Sequence, residues 1–187
     1  MSPVAELFSI SFRRDGAARH RRDMSCSTAG GRSPPVVVAG RNVSVGGAPV
    51  FLKGVAWSPF NASRSPNLGH PPDFSGFVAQ DAALMQAAGV NVVRTYAPTL
   101  DRATLDILWA HNIWVILTVF LDAGYGDTAF TAVSHVCSHK SHPAVLMWAV
   151  ANEPNYYAVS ATYESDIAAA VTAVQAADAS RPVAVVL

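Results

Sequence analysis

The sequence holds only three glutamates, Glu6, Glu153 and Glu164, and one of them stands directly behind a long apolar run. That run, Val145-Leu146-Met147-Trp148-Ala149-Val150-Ala151, leads into Asn152-Glu153-Pro154. A near-continuous apolar stretch reads as a strand buried on both faces, and Pro154 ends it because proline cannot donate to a sheet ladder. A carboxyl group set against apolar walls has its ionised form disfavoured, the condition for a general acid that works near neutral pH. The plainer reading of Glu153 is a carboxylate at the N-terminus of the next helix, stabilised by about 0.3–1 kcal/mol.

Arg94 closes a second apolar run, Val92-Val93-Arg94-Thr95-Tyr96. A buried guanidinium needs an acceptor or a carboxylate partner, so Arg94 belongs either to a structural ion pair or to a binding site. Asn152 divides in the same way between a strand-end cap and a ligand contact. His135, Cys137, His139 and His142 form the one cluster that suggests a metal. His135 and His139, four apart, share a helical face, but a zinc site of that spacing needs a further ligand in geometry, Cys137 points elsewhere on the helix, and His142 belongs with Pro143 to the motif that leads into the next strand. Neither a metal nor any other cofactor is implied.

These residues need a framework that places strand ends together. After Pro34-Pro35 come short strands at 36–39 and 42–45, then the Gly46-Gly47 turn and a strand over 50–57, a hairpin entering a core strand. Asp73 offers an N-cap to a helix with an apolar face at Phe77, Val78, Leu84, Met85 and Ala88, and Gly89 supplies its C-terminal stop. Strands at 90–96, 113–120, 145–152 and 183–187 then alternate with helices at 101–111, 129–138 and 161–177. Apolar strands alternating with helices specify a parallel sheet, so the class is α/β. The first turns lack the glycine-rich phosphate fingerprint of a doubly wound dinucleotide fold. Five strands make a partial (β/α)8 barrel, about five of eight, because a whole one takes about 250 residues. The apolar strand at the end implies a continuation of the chain or self-association to cover its edge.

Composition fits this reading. The 187 residues are 51% hydrophobic and 14% charged with zero formal net charge, which gives no electrostatic reason to expect a nucleic acid or an acidic membrane surface as partner. No apolar run is long enough to span a bilayer. Charge is uneven: residues 1–34 hold Arg13, Arg14, Arg19, Arg21, Arg22 and Arg32 against Glu6, Asp15 and Asp23. That head reads as disordered or transit-peptide-like, with residues 35–187 as the barrel portion. No secretory h-region stands out, and Cys26 and Cys137 define no disulfide framework, so the compartment stays open. Asn42-Val43-Ser44 and Asn61-Ala62-Ser63 match the glycosylation acceptor pattern, which matters only on the secretory route.

The segment His142-Pro143-Ala144-Val145-Leu146-Met147-Trp148-Ala149-Val150-Ala151-Asn152-Glu153-Pro154-Asn155 resembles the acid/base strand of glycoside hydrolase family 2, especially the β-glucuronidase type. Val45-Gly46-Gly47-Ala48-Pro49-Val50-Phe51-Leu52-Lys53-Gly54-Val55 resembles the entry to that family's catalytic barrel. Leu84-Met85 and Gly89-Val90-Asn91-Val92-Val93-Arg94-Thr95 resemble its first helix and second strand. The resemblance implies a glycoside or oligosaccharide substrate and a retaining mechanism with two carboxyl groups about 5 Å apart. It makes Glu153 the general acid/base, gives Asn152 the sugar 2-hydroxyl, sets Arg94 near the nucleophile, and places that nucleophile on a seventh strand outside this sequence. Trp57, Tyr96, Tyr125, Tyr156 and Tyr157 follow predicted strand ends, where aromatic faces stack on sugars; Trp57 and Tyr96 are the leading substrate contacts. Trp109, Trp114 and Trp148 fall in apolar patterns and read as core. Phe51-Leu52-Lys53-Gly54-Val55-Ala56-Trp57 and Val92-Val93-Arg94-Thr95-Tyr96 are also similar to β-1,3-glucanosyltransferases, so transglycosylation is one alternative and a non-catalytic or vestigial sugar-binding chain another.

Overall fold

The computed structural model describes residues 10–11, 26, 33–61, 63–64, 70–96, 98, 100–157 and 161–186. Most of the arginine-rich head therefore lies outside the described residues. The main sheet contains β1 (Ile10–Ser11), β5 (Gly54–Ala56), β6 (Val92–Arg94), β7 (Trp114–Phe120), β8 (Val145–Val150) and β9 (Val183–Val186), in the order β1-β9-β8-β7-β6-β5. From β6 to β9 each strand pairs in parallel with its predecessor in the chain, starting on β5. A doubly wound sheet reverses its strand order at a switch point; this one never does, as befits part of a (β/α)8 barrel. Five strands and their crossover helices make a half-barrel.

The helices are α1 (Phe74–Ala87), α2 (Arg102–Ala110), α3 (Ala129–His139), α4 (Pro154–Tyr157) and α5 (Tyr163–Ala177). Their starts follow from side chains. Asp73 accepts the Gly76 N–H at 2.9 Å and Asp101 the Thr104 N–H at 2.7 Å, and Thr128 and Thr131 close a reciprocal capping box. Gly89, at φ +76°, ends the first helical unit as expected. The expected face of α1 holds in part: Val78 is buried and Met85 packs against the core, but the buried stripe runs through Phe74, Val78 and Ala82, and Leu84 and Ala88 are exposed. The buried set repeats every fourth residue, and Leu84 falls off that stripe.

The strand expected at 50–57 is two strands in two sheets. β2 (Val36–Ala39), β3 (Asn42–Val45) and β4 (Ala48–Val50) form an antiparallel meander, in which Val50 pairs with Val43. Gly54 pairs instead with Val92, so the chain changes sheets across Phe51, Leu52 and Lys53. Gly54 is needed there, because a Cβ would come within 2.8 Å of the Val92 side chain. The meander packs Val36, Val38, Val43 and Val45 against Val92, Ile116, Leu146 and Met147. The other faces of the strands, with Val93, Val115, Leu117, Val119, Trp148 and Val150, meet the helices. Burial on both faces explains the unbroken apolar runs. Trp148 is in this core and Trp114 borders the meander, but Trp109 is largely exposed on α2, contrary to the expectation of a core role.

Besides Ser33 and Pro34, two parts of the head are described, and both contact the barrel portion. Ile10 and Ser11 pair antiparallel with Val186 and Val185, covering the edge of β9. Cys26 forms a disulfide with Cys137 on α3, linking positions 111 residues apart. Replacing Cys137 with Ser, or reducing the bond, is expected to lower stability by about 2–5 kcal/mol, since the crosslink restricts the unfolded chain over a long loop. Thermal unfolding with and without reductant measures the difference.

Candidate active site

The C-terminal ends of β5 to β8 lie side by side and carry Trp57, Arg94 to Tyr96, Asp122 and Asn152-Glu153. Active sites of barrel enzymes are built at this end. The backbone beyond β8 is unusual. Ala151 and Glu153 both take left-handed φ values, +65° and +47°, in a region where a non-glycine residue is strained. Three hydrogen bonds hold it: Ala151 N–H donates to Phe120 O at 2.7 Å, Glu153 N–H to Val186 O at 2.9 Å, and Tyr156 N–H to Glu153 O at 2.9 Å. Glu153 is thus anchored between the ends of β7 and β9. Such strain costs about 1–3 kcal/mol per residue and persists where the surroundings over-determine it.

Arg94 is buried at the end of β6, and its Nη2 donates to Asn152 Oδ1 at 2.7 Å. Its guanidinium carbon sits 4.8 Å from the centre of the Tyr96 ring. Burial pulls the Arg94 pKa below the ordinary guanidinium value, while electrostatic interaction with Tyr96 and Glu153 pulls it back up. Next to Arg94, Thr118 Oγ1 donates to Thr95 O and Thr118 N–H donates to Thr95 Oγ1, bracing β6 against β7. Arg94 thus touches both Asn152 and Tyr96, and the Glu153 carboxylate is near enough to act on its charge.

Trp57 differs. It is 6% exposed, packs on Phe74 with ring centres 5.0 Å apart, and donates through Nε1 to Asp81 Oδ2 at 2.8 Å. Those contacts account for Trp57 as a support that ties β5 to α1. Among the other aromatics, Tyr156 is 80% exposed on α4, and the side chains of Tyr125 and Tyr157 lie outside the described residues.

Sequence reasoning passed over Asp122. This buried acid stands two residues beyond β7, and its Oδ1 accepts the Gly124 N–H at 2.6 Å. The signal used for Glu153, an acid just past an apolar run, would have found it. The suspected metal cluster is engaged otherwise. Cys137 is in the disulfide, and both His139 ring nitrogens lie 2.8 Å from carbonyl oxygens, of His135 and Leu100. His142 Nδ1 accepts the Ala144 N–H, which leaves Nε2–H to donate to Asp106 at 2.9 Å. Among the described residues no group of three or more His, Cys, Asp or Glu is placed to hold a metal.

Residues 127–186 match the TIM barrel domain of glycosyl hydrolases family 2. The match spans α3 to β9 and includes Asn152 and Glu153. No curated protein matches the sequence. Among solved structures, a glycosyl hydrolase family 2 member from Bacteroides cellulosilyticus is similar at 23% identity and a TM-score of 0.62, over 80% of this chain and 20% of that one. The β-D-glucuronidase of Dictyoglomus thermophilum is 20% identical with a TM-score of 0.58, over 80% and 28% of the two chains. A galacturonate-bound β-galacturonidase from Eisenbergiella tayi is 17% identical at a TM-score of 0.58, over 80% and 27%. These likenesses show the half-barrel fold, and the chain spans only about a fifth to somewhat over a quarter of their length. No helix among the described residues is long and apolar enough to cross a membrane.

Proposed function

We propose that this face is the acid/base half of a retaining glycoside hydrolase site. The observation that carries the reading is the Arg94–Asn152 hydrogen bond beside a strained, anchored Glu153. In this reading Glu153 protonates the departing glycosidic oxygen and later takes a proton from water. Asn152 binds the sugar 2-hydroxyl, and Arg94 fixes the Asn152 amide so that its NH2 group faces the sugar. Arg94 also brings positive charge toward the position of the second carboxylate, which the mechanism assigns to a strand beyond β9. Tyr96 lies against the Arg94 guanidinium and borders the sugar. The substrate is a glycoside or oligosaccharide with a hydroxyl at carbon 2.

With the second carboxylate present, proton NMR of the first-formed product tests the stereochemistry. Release of the same anomer as the substrate is expected; the opposite anomer would overturn the retaining mechanism. Arg94→Met and Asn152→Ala are each expected to lower kcat/KM by about ten- to a hundredfold, the effect of losing one hydrogen bond to a charged or reacting group. Because Arg94 acts in part through Asn152, the double variant should lose less than the product of the two single losses. Full additivity in that cycle would show that Arg94 does not act through Asn152.

A further inference from the structure

The two Asn-x-Ser triplets have different shapes. Asn42-Val43-Ser44 lies along β3, paired with Ala39, Val38 and Val37. In an extended strand, residues i and i+2 share a face but stand about 6.6 Å apart, which keeps the Ser44 hydroxyl from the Asn42 amide. Asn61 and Ser63 instead form an Asx turn on the exposed loop after β5. Asn61 Oδ1 accepts the Ser63 N–H at 3.0 Å and the Ser63 hydroxyl at 2.7 Å. The two bonds hold the amide oxygen toward the chain and turn Nδ2, on the opposite side of the planar amide, away from it. Ala62 between them is not proline, as an acceptor triplet requires.

A second observation bears on the route. The Cys26–Cys137 disulfide is of a kind that forms and persists in oxidising compartments. In cells that glycosylate asparagine, that environment is also where the modification takes place.

We propose that Asn61, and not Asn42, is an N-glycosylation site that receives an oligosaccharide from a lipid diphosphate donor. The Asn61 Nδ2 forms a bond to the anomeric carbon of the donor as that carbon's bond to the diphosphate oxygen breaks. The Nδ2 proton passes to a base of the transferase, and the lipid diphosphate departs with the electron pair. The Ser63 hydroxyl positions the amide by its bond to Oδ1.

The test uses the full chain isolated from the cells that naturally make it, treated with a peptide N-glycosidase in heavy-oxygen water and digested with trypsin. The peptide 54–64 is expected to carry a heavy-oxygen aspartate at position 61, and its untreated form should carry glycan mass. Ser63→Ala, an exposed change that leaves Asn61 in place, is expected to abolish the label while the disulfide still forms. Unmodified Asn61 in the wild-type chain overturns the proposal. Label persisting in Ser63→Ala, or found at Asn42 alone, overturns it too, because turn geometry would not then be selecting the site.

Discussion

Glu153→Gln is expected to lower kcat/KM for glycosides with alkyl or sugar leaving groups by about 10²–10⁴-fold, in a polypeptide that also carries the second carboxylate. The amide keeps the size of the side chain and the backbone hydrogen bonds to Val186 and Tyr156, so the fold should not change. What it removes is the transferable proton. A poor leaving group departs as an alkoxide unless it is protonated in the transition state, whereas a nitrophenolate needs no such help. The loss should therefore shrink for aryl glycosides in the bond-breaking step. Hydrolysis of the glycosyl-enzyme, which needs the same group as base, should become limiting, and a small anionic nucleophile should rescue it. Steady-state rates on paired alkyl and aryl substrates read this directly. Equal losses on both would remove the general-acid role; unchanged rates on the alkyl glycoside would remove Glu153 from the chemistry.

The framework was largely legible because its signals are strong and local. Five apolar runs gave the five parallel strands, and Asp73, Asp101 and Gly89 marked helix boundaries that the structure reproduces. The grouping of Arg94, Tyr96, Asn152 and Glu153 followed once each stood at a strand's C-terminal end. The break between Val50 and Gly54 was not legible, since composition does not tell which of two sheets a strand residue joins; hydrogen-bond partners decide that. The packing of Trp57 was not legible for a related reason. A tryptophan at a strand end looks the same whether it faces a ligand or a helix, and only Asp81, 24 residues away, shows that its indole N–H is already engaged. The Cys26–Cys137 pairing was equally invisible, because two cysteines in dissimilar contexts carry no spacing signal. Left-handed φ at Ala151 and Glu153 breaks the local rule for residues with a Cβ. Such violations are expected to concentrate at functional sites, where strain is tolerated because neighbouring contacts enforce it.

Asp178→Ala is expected to cost about 3–5 kcal/mol, because it leaves a buried arginine without its counter-charge. Asp178 and Arg181 are both buried behind β8 and β9, with Nη1 of Arg181 3.0 Å from Asp178 Oδ2. The same oxygen accepts the Trp148 indole N–H at 3.0 Å, while Oδ1 accepts the Ser180 backbone N–H at 2.9 Å and its hydroxyl at 2.6 Å. Arg181 in turn donates to the carbonyls of Val145 at 2.6 Å and His142 at 3.2 Å, clamping the start of the strand that ends at Glu153. Burial alone would raise the Asp178 pKa. The Ser180 hydrogen bonds, the Arg181 charge and the Trp148 N–H outweigh it and hold the carboxyl below its ordinary value. The sign of the pH effect follows: below about pH 4 the unfolded chain takes up this proton before the folded one does, so stability falls as pH falls. Urea midpoints between neutral pH and pH 3 should decline more steeply in the wild type than in Asp178→Asn, which has no proton to gain. Replacing both partners with apolar residues, as in Asp178→Leu with Arg181→Met, should recover part of the loss, since it is the unpaired charge that is costly. If Asp178→Ala matched the wild type in midpoint, the clamp would contribute nothing, and the position of β8 would rest on its apolar faces alone.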